Sequence, residues 1–389
     1  MHGAYSRGIA ESQVLSGIWR NNKYLLWDVL EHREIQGTQR VSRLVAWWNE
    51  RVPISGDQLR ELTNEPVPNH MKKWWFALGG TPAYLFVVQI LTGIMLAIYY
   101  QPASTTAYES VRYITEDVTY GWYFRSVHKW AATLMIAAVV LHQMRVYFTG
   151  AYRCPRELNW VIGMSLLMVT LGLGFTGYSL VFEQLSYWGA TVGGNIMDAV
   201  PVVGGPLKQM LLAGDQYNEQ TLPRFYILHA AILPVTLILL IGVHIAFIRL
   251  HGVTELEGEV EPEDKTKHFN FFPDHILTEL ALGLTLMILL SALATIFPAM
   301  LGPRADPLTT PEEIKPEWFF YATFRWLKLF GPTFAVLSMG FIVFLMFVWP
   351  WVDQLLVRIT RNKETSTYIG IVAVFLIIGL TVWEAAVAH

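Results

Sequence analysis

The chain has little charge and almost no cysteine. Of its 389 residues, 15% are charged and one is cysteine, whereas a soluble domain carries roughly 25% charged residues. The single cysteine excludes a disulfide framework, and it excludes a zinc or iron–sulfur site built from cysteines of this chain alone. The low charge and the 14% of aromatic residues exclude extensive disorder. No basic stripe typical of nucleic-acid binding is present, so we expect no nucleic-acid partner. The composition predicts a chain partly dissolved in lipid.

Seven apolar runs are long enough to cross a bilayer, since a spanning helix needs about 20 mostly apolar residues. They cover residues 75–99, 127–148, 160–182, 226–250, 275–297, 333–352 and 367–388. The sequence therefore predicts an all-α integral membrane protein with seven transmembrane helices. Residues 1–70 contain no such run, but positions 41–48 carry apolar residues at helical spacing. This pattern predicts an amphipathic helix that lies on the membrane surface or packs on a partner subunit.

The lysine and arginine content of the loops predicts the orientation. Seventeen of these residues lie on the side that includes the N-terminus, and seven lie on the other side. We therefore expect the N-terminus on the cytoplasmic, negative side of a bacterial cytoplasmic membrane. With seven spans, the C-terminus would then lie on the positive side.

Four of the 11 histidines lie inside predicted spans, where an ionisable side chain is costly and marks a functional hypothesis. His128 and His142 are 14 residues apart in the second span, which is about 21 Å of helix. His229 and His244 are 15 residues apart in the fourth span, which runs in the same direction. His128 should therefore lie level with His229, and His142 should lie level with His244. Two stacked histidine pairs favour two bis-imidazole haems over zinc, which prefers four close ligands.

Glycines recur at the same period in the first and third spans. Gly79 and Gly93 are 14 residues apart, and so are Gly163 and Gly177. Glycine in a helix costs about 1 kcal/mol relative to alanine, so the repetition needs a cause. The missing side chain would let a flat macrocycle approach the backbone. For one glycine alone, small-residue packing between helices in lipid would be the better explanation.

Three arginines near the ends of the second and fourth spans are candidates to hold haem propionates through charge-assisted hydrogen bonds. They are Arg125, Arg145 and Arg249. The alternative for each is a side chain that extends to the membrane interface with no ligand.

Several segments resemble cytochrome b of the quinol-oxidising bc and bf complexes. They read RSVHKW, LHQMRVYFTG, CPRELNWVIG, GYSLVFEQLSYWGATV, LPRFYILHAAILPV and ADPLTTPEEIKPEWFF, and the similarity covers about residues 41–389. The spacings of 14 and 15 are similar to the chloroplast-type branch, in which two polypeptides supply the parts joined here, whereas Gly189 is closer to the mitochondrial type. The resemblance implies a surface segment over 1–70, a haem-binding four-helix bundle over 71–252, and a three-helix, subunit-four-like domain over 253–389.

The chain departs from that family's pattern at three places. Ala77 stands where the chloroplast type has a cysteine that holds an extra haem, so a third, covalent haem is not expected. Val181 and Phe182 replace a Pro-Trp pair. Phe319 replaces the tyrosine of the Pro-Glu-Trp-Tyr motif, although Tyr321 lies two residues further on.

The resemblance makes Glu317 the candidate acceptor of a quinol's proton on the positive side, as general base. Without the resemblance, a glutamate in a loop is usually only solvated. Glu183, which faces the same side, is a second candidate. Tyr178, Phe182 and Phe320 are candidate walls of an apolar quinone pocket, although membrane aromatics more often pack or anchor the interface.

On the negative side, Asp274 is the candidate proton donor to a quinone near the His142/His244 level. It belongs to a charged group whose other members are Arg249, His251, Lys267 and His268. For each of these residues alone, a surface charge is the better interpretation, and only as a cluster near a haem do they indicate proton delivery.

The resemblance implies a cytochrome b subunit of a quinol:cytochrome c, or plastocyanin-like acceptor, oxidoreductase that contributes to proton translocation. It implies quinone as substrate, a Rieske iron–sulfur protein and a c-type cytochrome as partner subunits, and a dimeric multi-subunit complex. Two other classes stay open. A two-haem membrane anchor would conduct electrons for a dehydrogenase without a bifurcating quinol site. A non-redox transporter or scaffold would leave the register of the histidines unexplained.

Overall fold

The structure is a computed structural model that describes residues 43, 66–68, 78–252, 268–270, 273–274, 276–311 and 314–387. Apart from residues 43, 66, 270 and 273, these positions belong to one compact unit, which includes every helix named below. Most of the surface segment predicted for 1–70, together with Ala77 and Lys267, lies outside the described residues.

The described chain is mostly helical. Its α-helices are α1 (Gly80–Ala97), α2 (Ala107–Glu116), α3 (Gly121–Phe148), α4 (Glu157–Ser179), α5 (Gln184–Asp198), α6 (Gly204–Leu212), α7 (Thr221–Ile227), α8 (Leu233–His251), α9 (Ile276–Ile296), α10 (Tyr321–Leu329), α11 (Pro332–Phe347), α12 (Trp349–Thr360) and α13 (Thr365–Ala386). A π-helical turn, Leu228–Ile232, joins α7 to α8, and a 3-10 turn, Trp318–Phe320, precedes α10. Two short strands, β1 (Pro66–Pro68) and β2 (His268–Asn270), pair with each other.

Six helical segments of the described chain are long and apolar enough to cross a membrane. They are α1, α3, α4, α7 continued by α8, α9 and α13. The span predicted over 333–352 is instead broken, because α11 and α12 meet at 78°. Pro350 is the physical reason, since proline lacks the N–H that would continue the helix and its ring clashes with the preceding turn. The all-α membrane fold is confirmed, with seven spans only if this bent pair counts as one.

The core of the bundle lies where α3 meets α1 and α9. Leu85, Val127 and Met135 are buried there, and α4 packs on both α3 and α8. The outward faces are apolar and exposed: Leu91 is 59% exposed and Phe375 is 71% exposed. Apolar surface on this scale indicates contact with lipid rather than water.

The loop between α3 and α4 ties the bundle to the C-terminal helices. Arg153 forms an ion pair with Asp353 of α12 at 2.8 Å, and the Asp353 side chain is 2% exposed. Ser366 of α13 donates a hydrogen bond to the same carboxylate, and Trp160 Nε1 donates to the Met346 carbonyl at 2.7 Å. The two predicted halves therefore pack as one unit.

Candidate functional site

Helices α3 and α8 and the π turn before α8 bring the four histidines together as two pairs. The ring centroids of His128 and His229 are 6.3 Å apart, and those of His142 and His244 are 6.4 Å apart. An imidazole nitrogen binds a first-row metal at about 2 Å, and the ring centroid lies about 1 Å behind it, so two rings that face one iron lie about 6 Å apart. Both separations fit one metal between two rings.

The π-helical turn explains the unequal spacing of the histidines. His229 lies inside the turn Leu228–Ile232, whereas α3 is α-helical throughout. A π turn takes i→i+5 hydrogen bonds and so contains an extra residue. The chain therefore takes 15 residues from His229 to His244 to cover the rise that α3 covers in the 14 residues from His128 to His142. As a result, His229 lies level with His128 and His244 lies level with His142.

Each histidine ring faces one of the four periodic glycines. The partners are Gly93 with His128, Gly177 with His229, Gly79 with His142 and Gly163 with His244. A Cβ placed on Gly177 would lie 2.5 Å from Cε1 of His229, which is too close for two carbon atoms. The glycines therefore keep the space beside the rings free of side chains, as a flat macrocycle would require.

Hydrogen bonds fix the tautomer of the upper pair, His128 and His229. Thr92 Oγ1 donates to the Val88 carbonyl at 2.7 Å, so at 2.8 Å it accepts a hydrogen bond from Nδ1 of His128. Nδ1 of His229 lies 3.1 Å from the Leu173 carbonyl, which can only accept. Both Nδ1 atoms therefore carry the proton, and both Nε2 atoms keep a lone pair for a metal, as ligating histidines do.

Thr176 makes a further contact with His229 that was not predicted from the sequence. Its Oγ1 donates to the Gly172 carbonyl at 2.8 Å and lies 3.2 Å from Nδ1 of His229. The signal is present in the sequence, because a threonine directly precedes two of the four periodic glycines, at Thr92-Gly93 and at Thr176-Gly177. Each threonine contacts the histidine that the following glycine faces.

The lower pair, His142 and His244, is less completely satisfied by the protein. Among the described residues, no hydrogen-bond partner reaches the buried Nδ1 of His142. In the same part of the chain, no group of three or more His, Cys, Asp or Glu side chains gathers as a metal site. Each level thus offers two imidazoles, which suits a haem that brings its own four nitrogens better than zinc. The ligand role of the four histidines stays a prediction.

The three candidate arginines lie in different surroundings. Arg125 donates to the backbone carbonyls of Ala299 and Met300, the second at 3.2 Å, so it fixes the loop after α9. Arg145 lies within electrostatic range of His142, and Arg249 is exposed near the end of α8. Propionate binding stays a prediction for all three arginines.

Glu317 lies at the level of the upper pair. It is half-buried and precedes the 3-10 turn, and Tyr178 lies within electrostatic range of it. A Cβ placed on Gly174 would lie 3.1 Å from Cζ of Phe319. The loop that bears Glu317 therefore packs on the last turns of α4, the segment that contains Gly177.

Glu183 has a structural contact that its sequence did not indicate. It is the residue directly before α5, where its side chain makes no capping hydrogen bond. Its Oε2 instead accepts a hydrogen bond from the Gly302 N–H at 2.6 Å. Its backbone pairs with that of Arg304. The carboxylate thus holds the loop that follows α9, and its role in proton exit stays a prediction.

Asp274, the candidate proton donor, is exposed just before α9, and its role and its predicted place on the negative side both stay predictions. His251, from the same predicted group, stacks on Phe247 with ring centroids 5.8 Å apart. The structure adds Glu279, one turn into α9. A Cβ on Gly80 would lie 2.6 Å from Glu279 Oε2, which places this carboxylate beside the start of α1 at the lower level.

Comparisons with known proteins cover both halves of the chain. Residues 62–252 match the family described as "Cytochrome b/b6/petB", and residues 304–389 match "Cytochrome b(C-terminal)/b6/petD". "Cytochrome b6" of Heliomicrobium gestii is 45% identical over 209 residues, which is 54% of this chain and 98% of that protein. The "Cytochrome bc complex cytochrome b subunit" of Chlorobaculum thiosulfatiphilum is 34% identical over 345 residues, 86% of this chain and 79% of that protein.

A solved structure shares the fold. A chain of a structure titled "Hyperthermophilic respiratory Complex III" aligns with a TM-score of 0.71 and covers 87% of this chain and 97% of its own. Its sequence identity is 23%, so this likeness concerns the arrangement of the helices alone.

Proposed function

Because this chain belongs to the cytochrome b/b6 family, we propose that it is the cytochrome b subunit of a bc-type quinol oxidoreductase and holds two non-covalent haems b. The observation that carries the proposal is the pair of stacked histidine levels, each with two rings that face glycines. His128 and His229 would hold one haem, and His142 and His244 would hold the other. The single cysteine leaves no CxxCH site for covalent attachment.

The residues around each level would orient and protect the cofactor. A haem bound at each level supplies the ability to take up and release single electrons. Thr92 and Thr176 hold the upper imidazoles in the tautomer whose Nε2 is available. Leu85, Val127 and Met135 form a dry core near α3, and a dry apolar surrounding excludes competing water.

Glu317 would accept a proton from quinol on the positive side. A quinol releases two electrons and two protons on oxidation to quinone. Glu317 is half-buried and lies in a loop packed on α4 near Gly177, so a quinol there would be close to the upper level. One electron would leave to a Rieske-type iron–sulfur partner, and the other would enter this chain and reach a quinone on the negative side. The second proton of the quinol would be released on the positive side, and the quinone that is reduced on the negative side would take up protons there. The scheme would in this way contribute to proton translocation.

The proposed complex includes other subunits that carry the remaining redox centres. The single cysteine requires that an iron–sulfur cluster and a c-type haem reside on other chains. We propose a dimeric multi-subunit complex in a bacterial cytoplasmic membrane, with the N-terminus on the cytoplasmic side. We also propose that the surface segment ends at residue 70 and that the haem-binding bundle ends at residue 252.

A second candidate is a two-haem membrane anchor without a bifurcating quinol site. Phe319 favours it, because the phenol expected there is absent and the ring instead packs against Gly174. Phe182 also favours it, since this side chain is buried against Tyr217 with ring centroids 5.9 Å apart. These two aromatic side chains occupy space at the positions where the sequence departs from the family.

Quinol-dependent reduction of the iron–sulfur partner separates the two candidates. The complex is purified from its native membrane, a quinol analogue is added, and reduction of the cluster is followed by electron paramagnetic resonance. The proposal predicts that the cluster and the b haems are reduced together. Haem reduction without any cluster reduction would instead identify the anchor.

A further inference from the structure

The end of α13 is attached to the chain on both sides of Glu317. Before Glu317, Lys315 Nζ donates to the Val387 carbonyl at 2.7 Å. After it, Lys328 Nζ pairs with Glu384 Oε1, also at 2.7 Å. The loop that bears Glu317 is therefore bracketed by two contacts with one helix end.

Glu384 is the centre of the second contact. Its side chain is fully buried, and Arg325 Nη1 lies 3.6 Å from its Oε2. The Arg325 guanidinium also stacks on Trp383, with Cζ 3.9 Å from the ring centroid. A buried carboxylate is costly unless it is paired, and here two cations from α10 pair with it. The cluster therefore joins α10 firmly to α13.

Helix α10 depends on this attachment for its position. It has nine residues and no fully buried side chain, and helices this short are marginal without tertiary contacts. Tyr321, its first residue, lies within electrostatic range of both Glu317 and Glu384, and burial raises the pKa of Tyr321 while both carboxylates add to the shift. Only the 3-10 turn Trp318–Phe320 separates Glu317 from α10, so a displacement of α10 would also displace Glu317.

We propose that Glu384 is a positioning residue for quinol oxidation, which acts by holding α10, and through it Glu317, against the end of α13. The inference rests on the proposed function. Glu384 itself does not meet the quinol, and Lys328 and Arg325 are the side chains through which it acts.

The test replaces Glu384 by Gln and by Asp in the assembled complex. The kinetic constants kcat and KM are measured with a quinol analogue. Haem content is measured as well, together with the rate at which added quinone reoxidises the haem on the negative side. Because a displacement of about 1 Å can cost about 100-fold in rate, we expect Glu384→Gln to lower kcat about 10- to 100-fold. Haem content and reoxidation should stay unchanged, and Glu384→Asp should recover part of the rate.

Asp353→Asn is the matched control, because Asp353 is also a buried carboxylate paired with a cation, at the other end of the helices. We expect its quinol oxidation to equal the parent's. Equal slowing in both variants would show a general structural effect and overturn the proposal, as would a parent-like kcat in Glu384→Gln. Should Glu384→Gln lose its haems, Lys328→Gln decides: a lowered kcat with full haem supports the proposal, and a parent-like kcat overturns it. A parent complex that oxidises no quinol would contradict the proposed function instead.

Discussion

Thr176 Oγ1 and His229 Nδ1 lie 3.2 Å apart, across the contact between α4 and the π turn that leads into α8. The threonine hydroxyl is already donated to the carbonyl of Gly172, so the histidine is the donor and its Nε2 is left with a lone pair. One hydrogen bond thus connects the helix that carries a periodic glycine to the helix that carries a proposed metal ligand.

Thr176→Val should weaken haem binding at the upper level. The variant removes one of the two acceptors that share the Nδ1–H of His229, and the Leu173 carbonyl at 3.1 Å remains. Complete loss of such a partner typically costs about 10- to 100-fold in metal affinity, so we expect a loss of about 10-fold or less. Thr170→Val is the control, since Thr170 is equally buried in α4 and bonds only the Leu166 carbonyl in the structure. Redox titration of the b haems should show one component altered in the first variant and none in the second. Identical titrations of both variants would contradict a role for Thr176.

His142→Leu and His229→Leu should remove different haems. The reason is that the structure pairs His142 with His244 and His229 with His128. Each variant should lose one distinct component in a redox titration and keep the other. If both variants lost the same component, the assignment of one haem to each pair would be wrong.

Gly177→Ala should displace the ring of His229 and lower haem occupancy at the upper level. The added Cβ would lie 2.5 Å from Cε1 of that ring. Gly172→Ala provides a control in the same helix, because its Cβ would meet only Leu233 Cδ1, at the ordinary contact distance of 3.6 Å. The haem-to-protein ratio should fall in the first variant alone, and full occupancy in Gly177→Ala would refute the steric argument.

Glu317→Gln should slow quinol oxidation while both haems remain. The amide keeps the shape of the side chain but cannot take up the quinol's proton, and loss of a positioned base typically costs about 10²- to 10⁴-fold in rate. Steady-state turnover with a quinol analogue across pH is the measurement, with Glu183→Gln as comparison. Parent-like turnover at every pH would exclude Glu317 as the acceptor and make Glu183 the next candidate.

Asp353→Asn should lower stability without a change in quinol chemistry. Arg153 would lose its buried partner, but its own side chain is 37% exposed, so no unpaired charge is left buried. We therefore expect a loss of about 1.5 to 3 kcal/mol, the usual contribution of hydrogen bonds to a charged group. The haem absorbance of the detergent-solubilised complex, followed on heating, should show a lower Tm than in the parent. An unchanged Tm would mean that the pair does not help to join the two halves.

Features that repeat along one helix could be predicted from the sequence. The 14- and 15-residue periods located four histidines and four glycines, and the structure brings each histidine against one glycine. Apolar length located the membrane helices, apart from the break before Pro350. One proline near the end of a long apolar run does not interrupt the hydropathy pattern, so the break was not predicted. Pro350 nevertheless determines where α12 starts.

Features that join distant segments were not predictable in the same way. Glu183 bonds a backbone N–H 119 residues away, and Glu384 pairs with Lys328 across 56 residues. An acidic residue near the end of an apolar helix gives no local sign of its partner. Only the packing of α10 on α13 shows why that carboxylate can be buried.

The number of extractable haems b per copy of this chain is the most direct test of two non-covalent haems. The purified complex is treated with acid–acetone, and the extract and the residual polypeptide are each assayed as pyridine haemochrome. We expect two haems b per chain in the extract and none left on this polypeptide. One haem b per chain, none, or haem retained on the polypeptide would contradict the assignment of one non-covalent haem to each histidine pair.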